Sequence, residues 1–224
     1  MAAVMTVNST QENNVRDNFL TLRESILLSN RTLTVATLSA AEQAQVSGIP
    51  TATDTDTIAF NIPAAGVQSI TPTSQLPALT DPAIIDGFTQ PGASANTLVV
   101  GSNAVPLIEI VGGSGPGSGL VISANNTTVR GMVINRFGSA IYVASGGNTI
   151  EGNWLGIAAD GNTRLANVYD VFMSNSVGSA NNLIGGTTPG ARNVMAGTAN
   201  QNAGIMLFAG GSATIQGNYI GMNA

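Results

Sequence analysis

The feature that most restricts the fold is internal repetition. Asn148-Thr-Ile-Glu-Gly-Asn-Trp-Leu-Gly156 and Ala213-Thr-Ile-Gln-Gly-Asn-Tyr-Ile-Gly221 match nearly residue for residue, and Thr128-Val-Arg-Gly-Met-Val-Ile134 and Asn182-Leu-Ile-Gly-Gly186 are weaker copies. Aligning Gly131, Gly152, Gly186 and Gly217 gives spacings of 21, 34 and 31 residues. A rigid helical-pair repeat does not tolerate that scatter, whereas stacked strands keep their pairing and absorb insertions in the turns. The first three copies in chain order are each followed by a second apolar run: Ala140-Ile-Tyr-Val143, Val168-Tyr-Asp-Val-Phe-Met173 and Ile205-Met-Leu-Phe208. The expected fold is all-β, a right-handed parallel β-helix (solenoid) with two or three strands per coil. Ile150 and Ile215 should then share one buried column, and Asn153 and Asn218 another at the turns, where stacked amides bond along the ladder. Trp154 and Tyr219 should occupy equivalent positions, packed into turns or turned outward as ligand-binding aromatics.

From Asp54 onward short β-branched runs closed by Gly, Asn or Pro predict strands, among them Thr57-Ile-Ala-Phe60, Leu98-Val-Val100, Leu107-Ile-Glu-Ile-Val111 and Leu120-Val-Ile122. Residues 1–53 read as an N-terminal strand and helix cap, and residues 54–224 as β-helix coils continuous with it. In the cap, Thr21-Leu-Arg-Glu24 has capping-box spacing and Asn30 is a terminator, predicting one short helix over 21–29. Val4 and Val7 belong to a strand, and Leu33-Thr-Val35 to another.

Composition narrows function. Charged residues make up only 8%, net charge is −5, and all seven basic residues are arginines. Sparse charge suits stacked strands, where like charges would sit one strand spacing apart. It gives no basic stripe for nucleic acid or an anionic membrane surface. No apolar run is long enough for membrane insertion, and Met1 to Val7 lacks the basic and apolar regions of a secretory leader.

The residues Thr6-Val-Asn-Ser-Thr10, Leu20-Thr-Leu-Arg-Glu-Ser-Ile26 and Asp56-Thr-Ile-Ala-Phe-Asn-Ile-Pro63 resemble the N-terminal cap of bacterial and archaeal CSLREA-type proteins. Thr80-Asp-Pro-Ala-Ile-Ile-Asp-Gly-Phe-Thr-Gln-Pro-Gly92, Gly186-Thr-Thr-Pro-Gly-Ala-Arg-Asn193 and the two Gly-Asn-aromatic blocks resemble the right-handed β-helix repeats that follow that cap. The resemblance covers nearly the whole chain and implies an extracellular or cell-surface location, with a leader already removed or replaced. Leu20 and Thr21 depart from the Cys and Ser of the cap motif. Family members usually continue through many coils, whereas this sequence stops at Met222-Asn-Ala224 within a repeat, with no polar capping element.

The absence of His, Cys and Lys excludes a Ser-His-Asp triad, a Cys nucleophile, His-ligated zinc and a Schiff base. Carboxylate and Arg chemistry remains. Glu151, Asp160 and Asp170 with Arg130, Arg136 and Arg164 form the best set for a calcium-dependent polysaccharide lyase. Their structural alternatives are a turn at Asp160-Gly-Asn162 and a ladder pair between Glu151 and Arg130. Asp54 and Asp56 are a second, weaker Ca²⁺ candidate, and read more simply as loop residues before a strand; no cofactor other than Ca²⁺ is in view, and none is expected. Gly112-Gly-Ser-Gly-Pro-Gly-Ser-Gly119 lacks the Lys and helix of a phosphate loop and reads as a turn.

The leading expectation is a non-enzymatic extracellular structural protein, a β-solenoid subunit that assembles head to tail into a filament by adding strands at its open ends. Val4, Met5, Thr6 and Val7 at one end and Ile215, Tyr219, Ile220 and Met222 at the other would be the assembly surfaces, with the chain itself as partner. The alternative is a surface adhesin, or a module that binds glycans or cleaves polysaccharides on one lateral face.

Overall fold

A computed structural model describes residues 2–113, 117–174, 180–196, 203–208 and 210–224. Of the Gly-rich run at 112–119, residues 114–116 lie outside the described set.

The cap contains β1 (Val4–Val7), α1 (Leu22–Ser29), α2 (Ala40–Gln43) and β2 (Val46–Ser47). Helix α1 begins as its sequence predicts. The Thr21 hydroxyl accepts from the Glu24 N–H at 3.2 Å, and Glu24 accepts from the Thr21 N–H at 2.9 Å. Asn30 closes it, its N–H donating to Ile26 and Leu28 carbonyls. Two expectations fail here. Val35–Thr37 is a 3-10 turn rather than strand, and a second capping box, Ser39 with Glu42, starts the short α2.

Next come β3 (Asp56–Phe60), β4 (Gln68–Ile70), β5 (Ala83–Asp86), β6 (Ile108–Val111) and β7 (Ser118–Ile122). After them the chain rotates among three sheets. Strands β8 (Thr128–Arg130), β11 (Thr149–Glu151), β14 (Asn182–Gly185) and β17 (Ala213–Gln216) join one. Strands β9 (Met132–Asn135), β12 (Trp154–Leu155), β15 (Val194–Met195) and β18 (Tyr219–Ile220) join a second, and β10 (Ser139–Val143), β13 (Tyr169–Met173) and β16 (Ile205–Leu207) a third. The sheet orders are β17-β14-β11-β8-β5-β3-β1-β2, β18-β15-β12-β9-β6-β4 and β16-β13-β10-β7. All these named pairings are parallel except β1 with β2.

This corrects the fold expectation. The structure is not an all-β right-handed parallel β-helix, because the three mainly parallel sheets form no closed solenoid. They are of unequal size, eight, six and four strands, in a sandwich-like α/β arrangement. The physical reason lies in the first half of the chain. The four-stranded sheet starts only at β7; before it, among the described residues, that side carries no strand but a single parallel bridge from Leu79 to Ile122, and Leu22, Ile26 and Leu28 of α1 contribute to the core there. Repetition specifies which strand stacks on which; it does not specify closure.

Within the sheets the side-chain columns are continuous. Met5, Ile58, Ile85, Val129, Ile150, Ile184 and Ile215 are paired in succession, placing Ile150 and Ile215 in one column as expected. Ile70, Ile110, Ile134, Leu155, Met195 and Ile220 form a second column, and Ile122, Val143, Met173 and Leu207 a third. The period-2 geometry of parallel strands in register makes each a single apolar stack.

The turns carry an amide ladder. Asn153 Nδ2 donates to Asn193 Oδ1 at 3.2 Å, and Asn193 Nδ2 to Asn218 Oδ1 at 2.8 Å. Each Oδ1 also accepts a backbone N–H from the preceding rung, that of Met132, Asn153 or Asn193. Asn153 and Asn218 do share a ladder, with Asn193 between them.

Candidate functional site

The candidate acid–base residues do not converge. Arg130 faces Glu151 in register on β8 and β11, and its guanidinium sits 2.7 Å from Asp86 and 3.9 Å from Glu151. Asp86 in turn pairs with Arg130 across β5 and β8, so this is a charge row along the eight-stranded sheet. The hydrogen bond that Arg130 donates to Asp86 holds the Arg130 pKa above its ordinary value. Asp160 closes its own turn, accepting from the N–H groups of Asn162 and Thr163 and from the Thr163 hydroxyl at 2.6 Å. Those bonds hold its carboxyl below the usual range. Arg136 adopts a left-handed conformation, and its N–H donates to the Leu165 carbonyl.

Asp170 is the exception to ordinary surface chemistry. It lies on β13 fully buried, with Oδ1 accepting from Asn167 at 3.0 Å and Oδ2 lacking a hydrogen-bond partner among the described residues. Desolvation pushes its pKa up to about 7 against the pull of the Asn167 hydrogen bond and the Arg164 charge. Among the described residues no three acidic side chains gather into a metal-binding group. Asp56 is also buried, with Oδ1 accepting from the Ala3 N–H at 2.8 Å, and burial raises its pKa. It fastens β1 to β3. Asp54 is half-exposed in the preceding loop.

The assembly residues are divided between two settings. Val4 to Val7 form β1, which is hydrogen-bonded to β3 on one side and β2 on the other, and Met5 and Val7 are fully buried. The outer strand at this end is therefore β2. At the opposite end β16, β17 and β18 are each the last strand of a sheet. Here the three buried columns finish at Leu207, Ile215 and Ile220, which are exposed although their counterparts one strand earlier are buried. Phe208 and Met222 are exposed beside them.

Trp154 and Tyr219 are paired through Val194, as equivalence predicts. Trp154 is only 6% exposed and packs with Val133, Ile157 and Val194, so it offers no platform to a ligand. Sequence reasoning missed a different aromatic row. Tyr142 stacks on Phe172 with centroids 5.7 Å apart and planes 10° apart, and Phe172 stacks on Phe208 at 6.2 Å and 26°. Tyr169 leans on Phe172 at 5.2 Å. The row borders an open groove of about 250 Å³ floored by Gly117, Gly138 and Ser139. Its signal was present, since aligning Ala140–Val143 with Asp170–Met173 puts Tyr142 opposite Phe172. The stacked rings share faces with one another, and Phe208 is exposed at one end of the row.

No helix among the described residues is long and apolar enough to cross a membrane. In comparisons with known proteins the chain matches no family model, no curated protein and no solved structure.

Proposed function

We propose that this chain is a non-enzymatic extracellular structural protein that associates with further copies of itself by adding strand to strand along β16, β17 and β18. The observation that carries the reading is the common edge of the three sheets, where three apolar columns and an aromatic row all end exposed. Unpaired strand edges with an apolar face are templates for another chain. The other end of the eight-stranded sheet is blunted by the two-residue antiparallel β2, so the two ends differ and contact between them is heterologous, generating an open filament. The extracellular setting rests on the CSLREA-type resemblance.

Negative-stain electron microscopy at rising protein concentration tests this, beside Ile215→Lys and Ile220→Lys. Deleting Met1 to Thr10 is unsuitable because β1 bridges β2 and β3. Filaments of uniform width that disappear in both lysine variants, with circular dichroism unchanged, are expected. Monodisperse monomers from the unaltered protein at every concentration would overturn the proposal.

The groove beside Tyr142 and Phe172 favours a glycan-binding adhesin as the second reading. Binding on a glycan array abolished by Phe172→Ala, with no filaments, would select it.

A further inference from the structure

Residues 97–101 form a loop between β5 and β6 that carries its apolar side chains outward. Val99 is 79% and Val100 81% exposed, with Leu98 partly exposed beside them. An exposed apolar tip is ordinary when the loop is loose; this one is fastened at nearly every residue. Arg192 donates from Nη1 to the carbonyls of Leu98 at 3.1 Å and Gly101 at 2.7 Å, and from Nη2 to Val99 at 2.8 Å. Its Nε reaches the Gly217 carbonyl at 3.3 Å, and its guanidinium lies 4.5 Å from the Tyr219 ring centroid. The Tyr219 hydroxyl accepts from the Gly101 N–H at 2.8 Å. Asn96 closes the base, its Oδ1 accepting from the N–H groups of Leu98 and Asn103 and its Nδ2 donating to the Leu98 and Pro189 carbonyls. Holding a guanidinium on three carbonyls of one short loop fixes its backbone before any partner arrives, which removes the ordering cost that a flexible tip would bring to binding.

The cap carries an apolar concavity. Leu28, Leu33, Val35, Ile49 and Pro50 line a cleft of about 170 Å³, bordered by Arg31, whose charge is paired with Asp81 at 3.0 Å. A cavity of ~150 Å³ lined by aliphatic side chains admits a molecule the size of benzene, so this cleft accommodates one or two small aliphatic side chains. Knob and cleft lie at opposite ends of the sheets. The loop is tied to Tyr219 on β18, the last strand of the six-stranded sheet, while Ile49 and Pro50 follow β2, the outer strand at the other end. Residues 96–106 contain no charged side chain, and the protein's net charge is −5. A lipid surface, which rewards basic residues around an apolar tip, is thereby the poorer occupant.

We propose that Val99 and Val100 form a preorganised apolar knob that docks into the Leu28–Leu33–Ile49 cleft of a second copy of this chain. The proposal rests on the assembly reading above and identifies a contact that strand pairing alone does not provide. Knob on one end and cleft on the other make the contact heterologous, so it adds copies in one direction and does not close on itself. Arg192 is the positioning residue.

The chain contains no cysteine, which makes cross-linking direct. Val100→Cys combined with Ile49→Cys is oxidised mildly and run on non-reducing gels, beside Val100→Cys combined with Val15→Cys, a pair of exposed residues outside the cleft. A ladder of dimers, trimers and higher species forming at least tenfold faster than in the control pair is expected. Val99→Asp with Val100→Asp should raise the concentration needed for filaments at least tenfold. If filaments form but the Val100–Ile49 pair cross-links no faster than the control, the knob and cleft are wrong while strand addition stands. If the unaltered protein stays monomeric, both fall. Co-flotation of the unaltered protein with phosphatidylcholine vesicles, lost in the double Asp variant and without a ladder, would also overturn the contact.

Discussion

Asp170→Asn removes a buried ionisable group while keeping its shape, and its effect must depend on pH. The Asp170 carboxyl has its pKa raised from 3.8 to about 7, chiefly by burial. A raised folded-state pKa means that the neutral acid is the form the fold tolerates. Its full stability is present below about pH 4, where the carboxyl is protonated in both states, and is lost as pH rises towards 7. Each pH unit in that window costs about 1.4 kcal/mol, so the loss accumulates to about 4 kcal/mol and is complete above pH 8. Asparagine in its place retains an oxygen for the Asn167 amide and cannot ionise. Urea unfolding of both proteins at pH 4, 6 and 8 should give nearly equal stabilities at the lowest pH. The variant should be ahead by about 2 to 4 kcal/mol at the highest. Parallel pH profiles would refute the reasoning, because they would mean that Asp170 ionises in the folded protein as readily as in the unfolded chain.

Asn193→Ala should lower stability by about 3 kcal/mol in thermal or urea unfolding. It removes the acceptor of the Asn153 N–H and the amide that donates to the Ile150 carbonyl at 2.8 Å, inside a buried ladder. Thr21→Ala should cost about 1 kcal/mol by removing the side-chain acceptor of the Glu24 N–H. Circular dichroism melting checks it, and Thr21→Ser should restore most of the loss.

Much of the local structure was legible because it depends on residues close in sequence. The capping box at Thr21 and Glu24 and the boundaries of α1 are matters of one helical turn. The columns through Ile150 and Ile215, and the amides of Asn153 and Asn218, followed from aligning near-identical repeats. Parallel in-register pairing turns sequence identity into spatial coincidence. Leu98 to Val100 shows where that logic stops. As a β-branched run it has strand character, yet Arg192 and Asn96 hold it as a projecting loop, by bonds reaching more than 90 residues along the chain in the case of Arg192. Trp154 is similar. Its equivalence to Tyr219 was readable, whereas its burial depends on Val133 and Ile157 covering it.

By itself, then, the sequence determined the pairing partners of its repeated strands, the start and stop of α1, and the absence of His, Cys and Lys chemistry. Only the tertiary structure decided that three sheets of unequal size form without closing into a solenoid, that Asp170 is buried, and that β1 lies between two strands rather than at an edge. The reason is that repetition constrains contacts between equivalent strands one pass apart. Closure, burial of a single carboxyl and the covering of an edge depend on non-equivalent segments, such as α1, β2 and the 97–101 loop, whose meeting no periodicity records.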